Sequence, residues 1–178
     1  MRKLIILAAS VACLTSASTL QRLSLTDMIQ KSTMIVRGTI QPGNSAVLRG
    51  SIIYTHYQLS VTTAFKGTPG PTIDVAVPGG ALNGMQQPVA GAPVFTSGQD
   101  AVFFLWTSKT GLTQVIGLSQ GLFGVTTNAQ GQVTVSRGAT SETMLDASGQ
   151  TVNDSSIQMP LAQLASKIQA VLAGGSGQ

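Results

Sequence analysis

The sequence predicts one mainly β domain, folded as a barrel or sandwich, with a short helix before the strands and a longer helix after them. Three stretches carry that expectation. Over residues 53–65, Ile53, Thr55, Tyr57, Leu59, Val61, Thr63 and Phe65 alternate with Tyr54, His56, Gln58, Ser60, Thr62 and Ala64, the period of a half-buried strand. Residues 101–106 are apolar on both faces, as in a central strand covered on each side. Behind Pro160, Leu161, Leu164, Ala165, Ile168, Val171 and Leu172 recur at helical spacing.

The elements follow in chain order. Ser24 with Asp27 forms a short-armed capping box and opens a helix over 25–31, whose apolar stripe is Leu25, Met28 and Ile29. Residues 33–41 read as a strand with Met34, Val36 and Ile40 on one face. Gly38 inside it marks a bend or a close approach, and Pro42-Gly43-Asn44 is expected to break it. The alternating stretch is then the longest strand, and such a strand in a small domain bends around a barrel or sandwich. After the turn at 67–71, Ile73, Val75 and Val77 give the next inward face, with Asp74 outward.

Residues 78–100 form a long irregular stretch rich in Gly and Pro, a kind of loop that often carries function. Strands are expected at 112–118 and 122–127. Asn128-Ala129-Gln130-Gly131 then turns the chain into a strand at 132–137. Residues 138–158 have no period and read as a loop. Pro160 opens the last helix, within 159–173, and Gly174-Gly175 closes it ahead of a tail at 174–178. The helix is apolar enough to dock on the barrel. All eight aromatic residues lie between Tyr54 and Phe123, which locates the core of a single β domain over 18–137.

Charged residues make up 9% of the 178, where about 25% is usual for soluble domains. Ser, Thr, Asn and Gln supply the polar surface instead, with 58 residues. One His, one Cys and six carboxylates exclude multi-His or multi-Cys metal centres and an intrachain disulfide framework. Ten Lys and Arg are scattered without a cluster, so nucleic acid is not an expected partner. Residues 1–17 have the layout of a secretory signal. Arg2 and Lys3 begin it, an apolar run covers 4–14, and small residues lead to cleavage after Ala17. That run is too short to span a bilayer, and no later segment is long enough. An alternative end to this segment is lipid attachment at Cys13, after Ser10-Val11-Ala12. Cleavage after Ala17 would remove the only Cys and lower the net charge from +4 to +2. The expected location is the periplasm or the medium.

The chemistry-bearing residues are few. His56 falls on the polar face beside Tyr54, and a general base there needs a positioned partner. Asp74 and Asp100 flank the long loop and are the one carboxylate pair to test for acid–base work across a cleft. Asp146 and Asp154 lack the spacing of a calcium loop. Gly79, Gly80 and Gly84 precede no Gly-Lys-Ser/Thr, so they do not form a phosphate loop.

One ordered set of motifs is recognisable: Phe65-Lys66-Gly67, Val77-Pro78-Gly79-Gly80, Gly91-Ala92-Pro93-Val94-Phe95, and Gln120-Gly121-Leu122-Phe123-Gly124-Val125. The set resembles small secreted bacterial proteins of largely uncharacterised function. More remotely, the order strand, long strand, Phe-Lys-Gly turn and strand is similar to the netrin-like modules of metalloproteinase inhibitors. That similarity implies an OB-type, five-stranded Greek-key barrel with helices attached. Those inhibitors use an N-terminal Cys to chelate the target's zinc. A chain cleaved after Ala17 has none, so their inhibitory route does not carry over.

The expectation is a secreted, non-enzymatic β module that needs no cofactor and holds no metal. It would bind an extracytoplasmic protein or glycan through the 78–98 loop, at Pro78, Gly79, Gly80, Gly84, Gly91, Pro93 and Phe95, with Phe95 as the apolar anchor. Two alternatives stand beside it: a hydrolase using His56, and an envelope or matrix assembly component, which low charge and abundant Ser, Thr and Gln would suit.

Overall fold

The computed structural model describes residues 19–174. The expected signal, its cleavage point and Cys13 lie outside them, as do residues 175–178. The chain runs β1 (Thr19–Gln21), α1 (Leu25–Lys31), β2 (Met34–Arg49), β3 (Ile52–Lys66), β4 (Thr72–Pro78), β5 (Gly80–Leu82), β6 (Met85–Gln87), β7 (Asp100–Thr107) and β8 (Thr113–Val115). It continues through β9 (Leu122–Thr127), β10 (Val133–Arg137), β11 (Thr143–Leu145), β12 (Thr151–Val152), β13 (Ile157–Pro160) and α2 (Leu161–Leu172). The fold is mainly β.

The capping box at Ser24 forms. The Asp27 N–H donates to Ser24 Oγ at 3.0 Å and the Ser24 N–H donates to Asp27 Oδ2 at 3.1 Å, which fixes the start of α1. At its other end Lys66 Nζ donates to the carbonyls of Ile29 and Gln30, at 2.7 and 3.0 Å. The Lys of the Phe-Lys-Gly motif thus satisfies the last carbonyls of α1, and burial pushes its ammonium down from the ordinary lysine range.

The main sheet has eight strands along the path β13-β10-β9-β7-β2-β3-β4, with β8 also paired to β7. The expected closed barrel does not form, because the path ends at β13 and β4 with no ladder between them. The cause lies in β7, whose outer edge is divided: Ala101 to Phe103 pair with β9, and Leu105 to Thr107 pair with β8. The chain therefore leaves through β9 into a second layer instead of returning to β4. Strand β8 still lies beside β4 and runs in the same direction.

Pro42-Gly43-Asn44 bends β2 without ending it. Ile40 pairs with Leu59 and Asn44 with Tyr57, so three β2 residues, 41–43, oppose Gln58 alone across an irregular step. Gly38 does mark a close approach, since a Cβ there would collide with the carbonyl of Ser60. Beyond the bulge, residues 44–49 pair only with β3, and the hairpin turns at Gly50-Ser51. The segment 138–158 carries β11 and β12, with β11 parallel to β1.

Two hydrophobic cores share β7. Ala101, Phe103 and Leu105 face one core with Val36, Ile40, Leu59, Val75 and Val77. Val102 and Phe104 face the other with Ile35, Phe123 and Val135, under Met28 and Ile29 of α1 and Leu164, Ile168 and Val171 of α2. Gln120, 1% exposed, ties the N-terminal segment to this frame: its Nε2 donates to the Gln21 carbonyl and its Oε1 accepts from the Leu23 N–H, both at 2.9 Å. Gln120→Ala leaves both backbone groups without partners and is expected to lower unfolding free energy by about 1–3 kcal/mol. Urea denaturation of the two proteins measures it, and an unchanged midpoint would refute this account.

Candidate functional site

Residues 78–98 are partly ordered. β5 and β6 form a hairpin around Asn83-Gly84, both at positive φ (49° and 79°), the two-residue turn that Asn-Gly favours. The hairpin is stapled to the β2–β3 arm. The Ile53 N–H donates to Gln87 Oε1 at 2.6 Å and Gln87 Nε2 donates to the Ser51 carbonyl at 3.0 Å. The Gly79 N–H donates to the Ile53 carbonyl at 2.7 Å, and Thr55 Oγ1 donates to the Gly79 carbonyl at 2.8 Å.

A cleft of about 290 Å³ opens between the arm and this segment. Pro78, Gly79, Gly80 and Pro93 line it, together with Thr55, Tyr57, Gln87, Pro88 and Val94. No charged residue lines it. Gly84 sits at the hairpin tip, and Gly91 packs away from the cleft against Leu20, Leu118 and Glu142. Phe95 is not a surface anchor. It is 7% exposed and stands edge-on between Tyr57 and Phe103, with ring centroids 5.0 and 5.7 Å away. An aromatic ring flanked by glycines and a proline looks exposed in sequence, but this one fills the end of the first core.

The exposed apolar side chains are others. Val47, Leu48 and Ile52 on the arm, Met85 beside the hairpin tip and Val94 at the cleft are five of the seven large exposed hydrophobic residues among those described. Val94 is 84% exposed. Gly50-Ser51 and Asn83-Gly84 between strand-forming runs were the signals that could have located both hairpins. A larger apolar cleft of about 620 Å³, lined by Phe65, Val133, Leu161 and Ala165 among others, opens where α2 crosses the ends of β3 and β10. No sequence feature singled it out.

His56 and Asp74 are in contact, with Nδ1 and Oδ1 2.7 Å apart across the β3–β4 ladder. The Nε2 of His56 is enclosed and has no hydrogen-bond partner. Asp100 is not part of this group. It holds Arg37 through contacts of 2.6 to 3.2 Å, and that carboxylate keeps the guanidinium above its ordinary range. Asp74 alternates with core-facing Ile73 and Val75, and Asp100 precedes core-facing Ala101, so both carboxylates lie on the outer face of the curled sheet, each with its own partner. Asp74 and Asp100 therefore do not face each other across one cleft. Among the described residues no three His, Cys, Asp or Glu side chains could share a metal ion, and no helix is long and apolar enough to cross a membrane. Asp146 instead closes the turn before β12, accepting from the Ser148 and Gln150 N–H groups, both at 2.9 Å.

Asp154 is a staple. Arg137 Nη1 and Nη2 donate to it at 2.8 and 3.0 Å, the Thr140 N–H donates at 2.9 Å, and both charged side chains are buried. Burial alone would raise the carboxyl. The Arg137 hydrogen bond and the Thr140 amide outweigh it and hold Asp154 below the ordinary carboxylate range.

No family model, no curated protein and no solved structure matches this chain.

The lowered Asp154 group stabilises the fold above the ordinary carboxylate range, and that contribution fades as pH falls through about 4 and below. Asp154→Asn should cost about 3–5 kcal/mol at pH 7, because Arg137 is left buried without its counter-charge. The variant should also lose less stability than wild type between pH 7 and pH 3. Melting temperatures across that range test both expectations, and parallel curves would contradict the second.

Proposed function

We propose that the chain is a secreted, non-enzymatic β module that binds an extracytoplasmic protein or glycan through the 78–98 segment. The observation that carries this reading is the uncharged cleft bordered by Val94, with Met85 exposed at the adjoining hairpin. Exposed apolar residues gathered beside a concave, neutral surface suit recognition by shape and hydrogen bonding rather than by charge. The contact residues in this reading are Pro78, Gly79 and Gly80 of the cleft wall with Met85 and Val94, and Phe95 supports them from behind. Location in the periplasm or medium rests on the expected signal at 1–17.

The same proposal includes a fold relationship. The resemblance to small secreted bacterial proteins, and the remoter one to netrin-like modules, implies an OB-type unit. The order β8-β7-β2-β3-β4 and the parallel approach of β8 to β4 support that unit, although no ladder joins the two strands. It supplies architecture and no activity.

The hydrolase reading has one observation in its favour, the 2.7 Å contact between His56 and Asp74, which could orient the ring. Against it, the enclosed Nε2 has no partner and no opening toward a substrate. His56→Ala should turn over ester and glycoside substrates no differently from wild type. A loss of measurable turnover in the variant would reverse the order of the two readings.

Met85→Glu and Val94→Glu change exposed side chains, so they should leave circular dichroism and the melting temperature unchanged. Each should weaken binding to the ligand retained by the wild-type protein at least tenfold, measured by titration calorimetry. Unchanged affinity in both variants would remove the 78–98 segment from the contact.

A further inference from the structure

A sheet edge is a row of unpaired donors and acceptors, and proteins shield such edges with charges, prolines, bulges or covering elements. Most edges in the main sheet are shielded. β7 covers β2 over residues 34–39, β8 and β9 divide the other edge of β7, and β8 lies along β4. Among the described residues, 44–49 of β2 pair with β3 on one side and form no ladder on the other, although β5 packs against the β2–β3 arm. They contain no acid, no Lys and no Pro, and Pro42-Gly43 lies just outside them.

The direction of the backbone groups follows from the hairpin. The Ile53 N–H bonds Gln87 and its carbonyl bonds Gly79, so Ile53 turns away from β2. Hydrogen-bonded positions alternate in an antiparallel ladder. Ile52, Tyr54 and His56 therefore turn toward β2, and their partners Arg49, Val47 and Ser45 turn toward β3. The N–H and C=O groups of Asn44, Ala46 and Leu48 point outward, three donors and three acceptors on an exposed edge. Val47 and Leu48 beside them are 44% and 47% exposed.

This edge is complementary to itself. A twofold axis perpendicular to the sheet at Val47 sets the same strand of a second copy antiparallel. Ala46 of each copy then exchanges two backbone hydrogen bonds with Leu48 of the other. On one face Val47 meets Val47 and Ser45 meets Arg49, and on the other Ala46 meets Leu48. No like charges are opposed, because Arg49 is the only charged residue in the segment. Backbone pairing alone buries too little for a stable dimer, which needs about 800 Å² per partner. Ile52, paired with Arg49 on the Val47 face and 39% exposed, extends the apolar surface.

We propose that residues 44–49 pair with the same segment of a second copy of this chain, joining two sheets across a twofold axis at Val47. This proposal does not depend on the binding reading of the 78–98 segment. Sedimentation velocity from 1 to 100 µM should show a dimer, and Val47→Lys, which opposes two ammonium groups on the axis, should weaken it more than tenfold. Non-hydrogen-bonded antiparallel positions stand about 4.5 Å apart at Cα, within disulfide range. Val47→Cys in a Cys13→Ser background should therefore form an intermolecular disulfide on mild oxidation, and Thr62→Cys in the same background should not. The crosslink reads the register even if the Lys variant misfolds. A wild-type monomer at 100 µM overturns the proposal. So does a dimer that survives Val47→Lys, or one in which Val47→Cys fails to crosslink.

Discussion

Residues 101–105 of β7 are buried on both faces, and the rest of the structure is arranged around that constraint. Phe103 and Phe104 are adjacent, point in opposite directions and have no exposed surface. Each withdraws a full aromatic side chain from water, a gain of roughly 1.5–3 kcal/mol apiece. A strand with no polar face needs cover on two sides. The long hairpin and β4 supply it on one side, and the two helices with β9 and β10 supply it on the other. A barrel closed directly on β4 would leave Val102 and Phe104 on its outside, so the division of β7's edge between β8 and β9 follows from the same requirement.

Scarce charge takes on a structural role in this frame. Three carboxylates form ion pairs, Asp27 with Lys31, Asp100 with Arg37 and Asp154 with Arg137, and Asp74 contacts the His56 ring. The pair between Asp27 and Lys31 lies on the surface of α1 and contributes little. Those of Arg37 and Arg137 tie β2 to β7 and the 138–158 segment to β10. Asp74 and Asp100, the pair the sequence offered for acid–base work, are held by different partners, His56 and Arg37.

Much of the fold was legible. Period-two alternation and the doubly apolar run at 101–106 identified β3 and β7 because burial on one or two faces leaves a direct pattern. The capping box located α1 because it needs only two residues three apart. Two residues of the Phe-Lys-Gly and Gln-Gly-Leu-Phe motifs have a structural account: Lys66 satisfies the end of α1 and Gln120 holds the N-terminal segment. Other features escaped. Pro42-Gly43 reads as a break, yet β3 continues past it and holds β2 in the ladder through a bulge. The 138–158 segment reads as a loop because its strands have two or three residues, too few to show a period, and a buried ion pair between distant residues fixes it. Phe95 was misplaced because exposure depends on what Tyr57 and Phe103 leave open, which no local pattern records. Of the candidate site, the cleft-lining prolines and glycines were legible, and its exposed apolar residues were not.

The two ends of the β2–β3 hairpin differ in what they serve. At one end, Lys66 and Ile35 are engaged by α1 and the second core. At the other, β2 and β3 continue beyond their contact with β7 and end in exposed Val47, Leu48 and Ile52, braced by Gln87. Residues 54–58 of this extension still hold β4 and support Phe95, but trimming residues 47–52 alone would remove the exposed apolar side chains while leaving both cores filled. Exposed apolar strands favour aggregation, so folding alone gives no reason to keep an arm of this length. The bracing gives a reason of another kind. Gln87 and Gly79 hold the arm and the cleft wall as one unit, so in the proposed contact this surface would lose little conformational freedom on being covered.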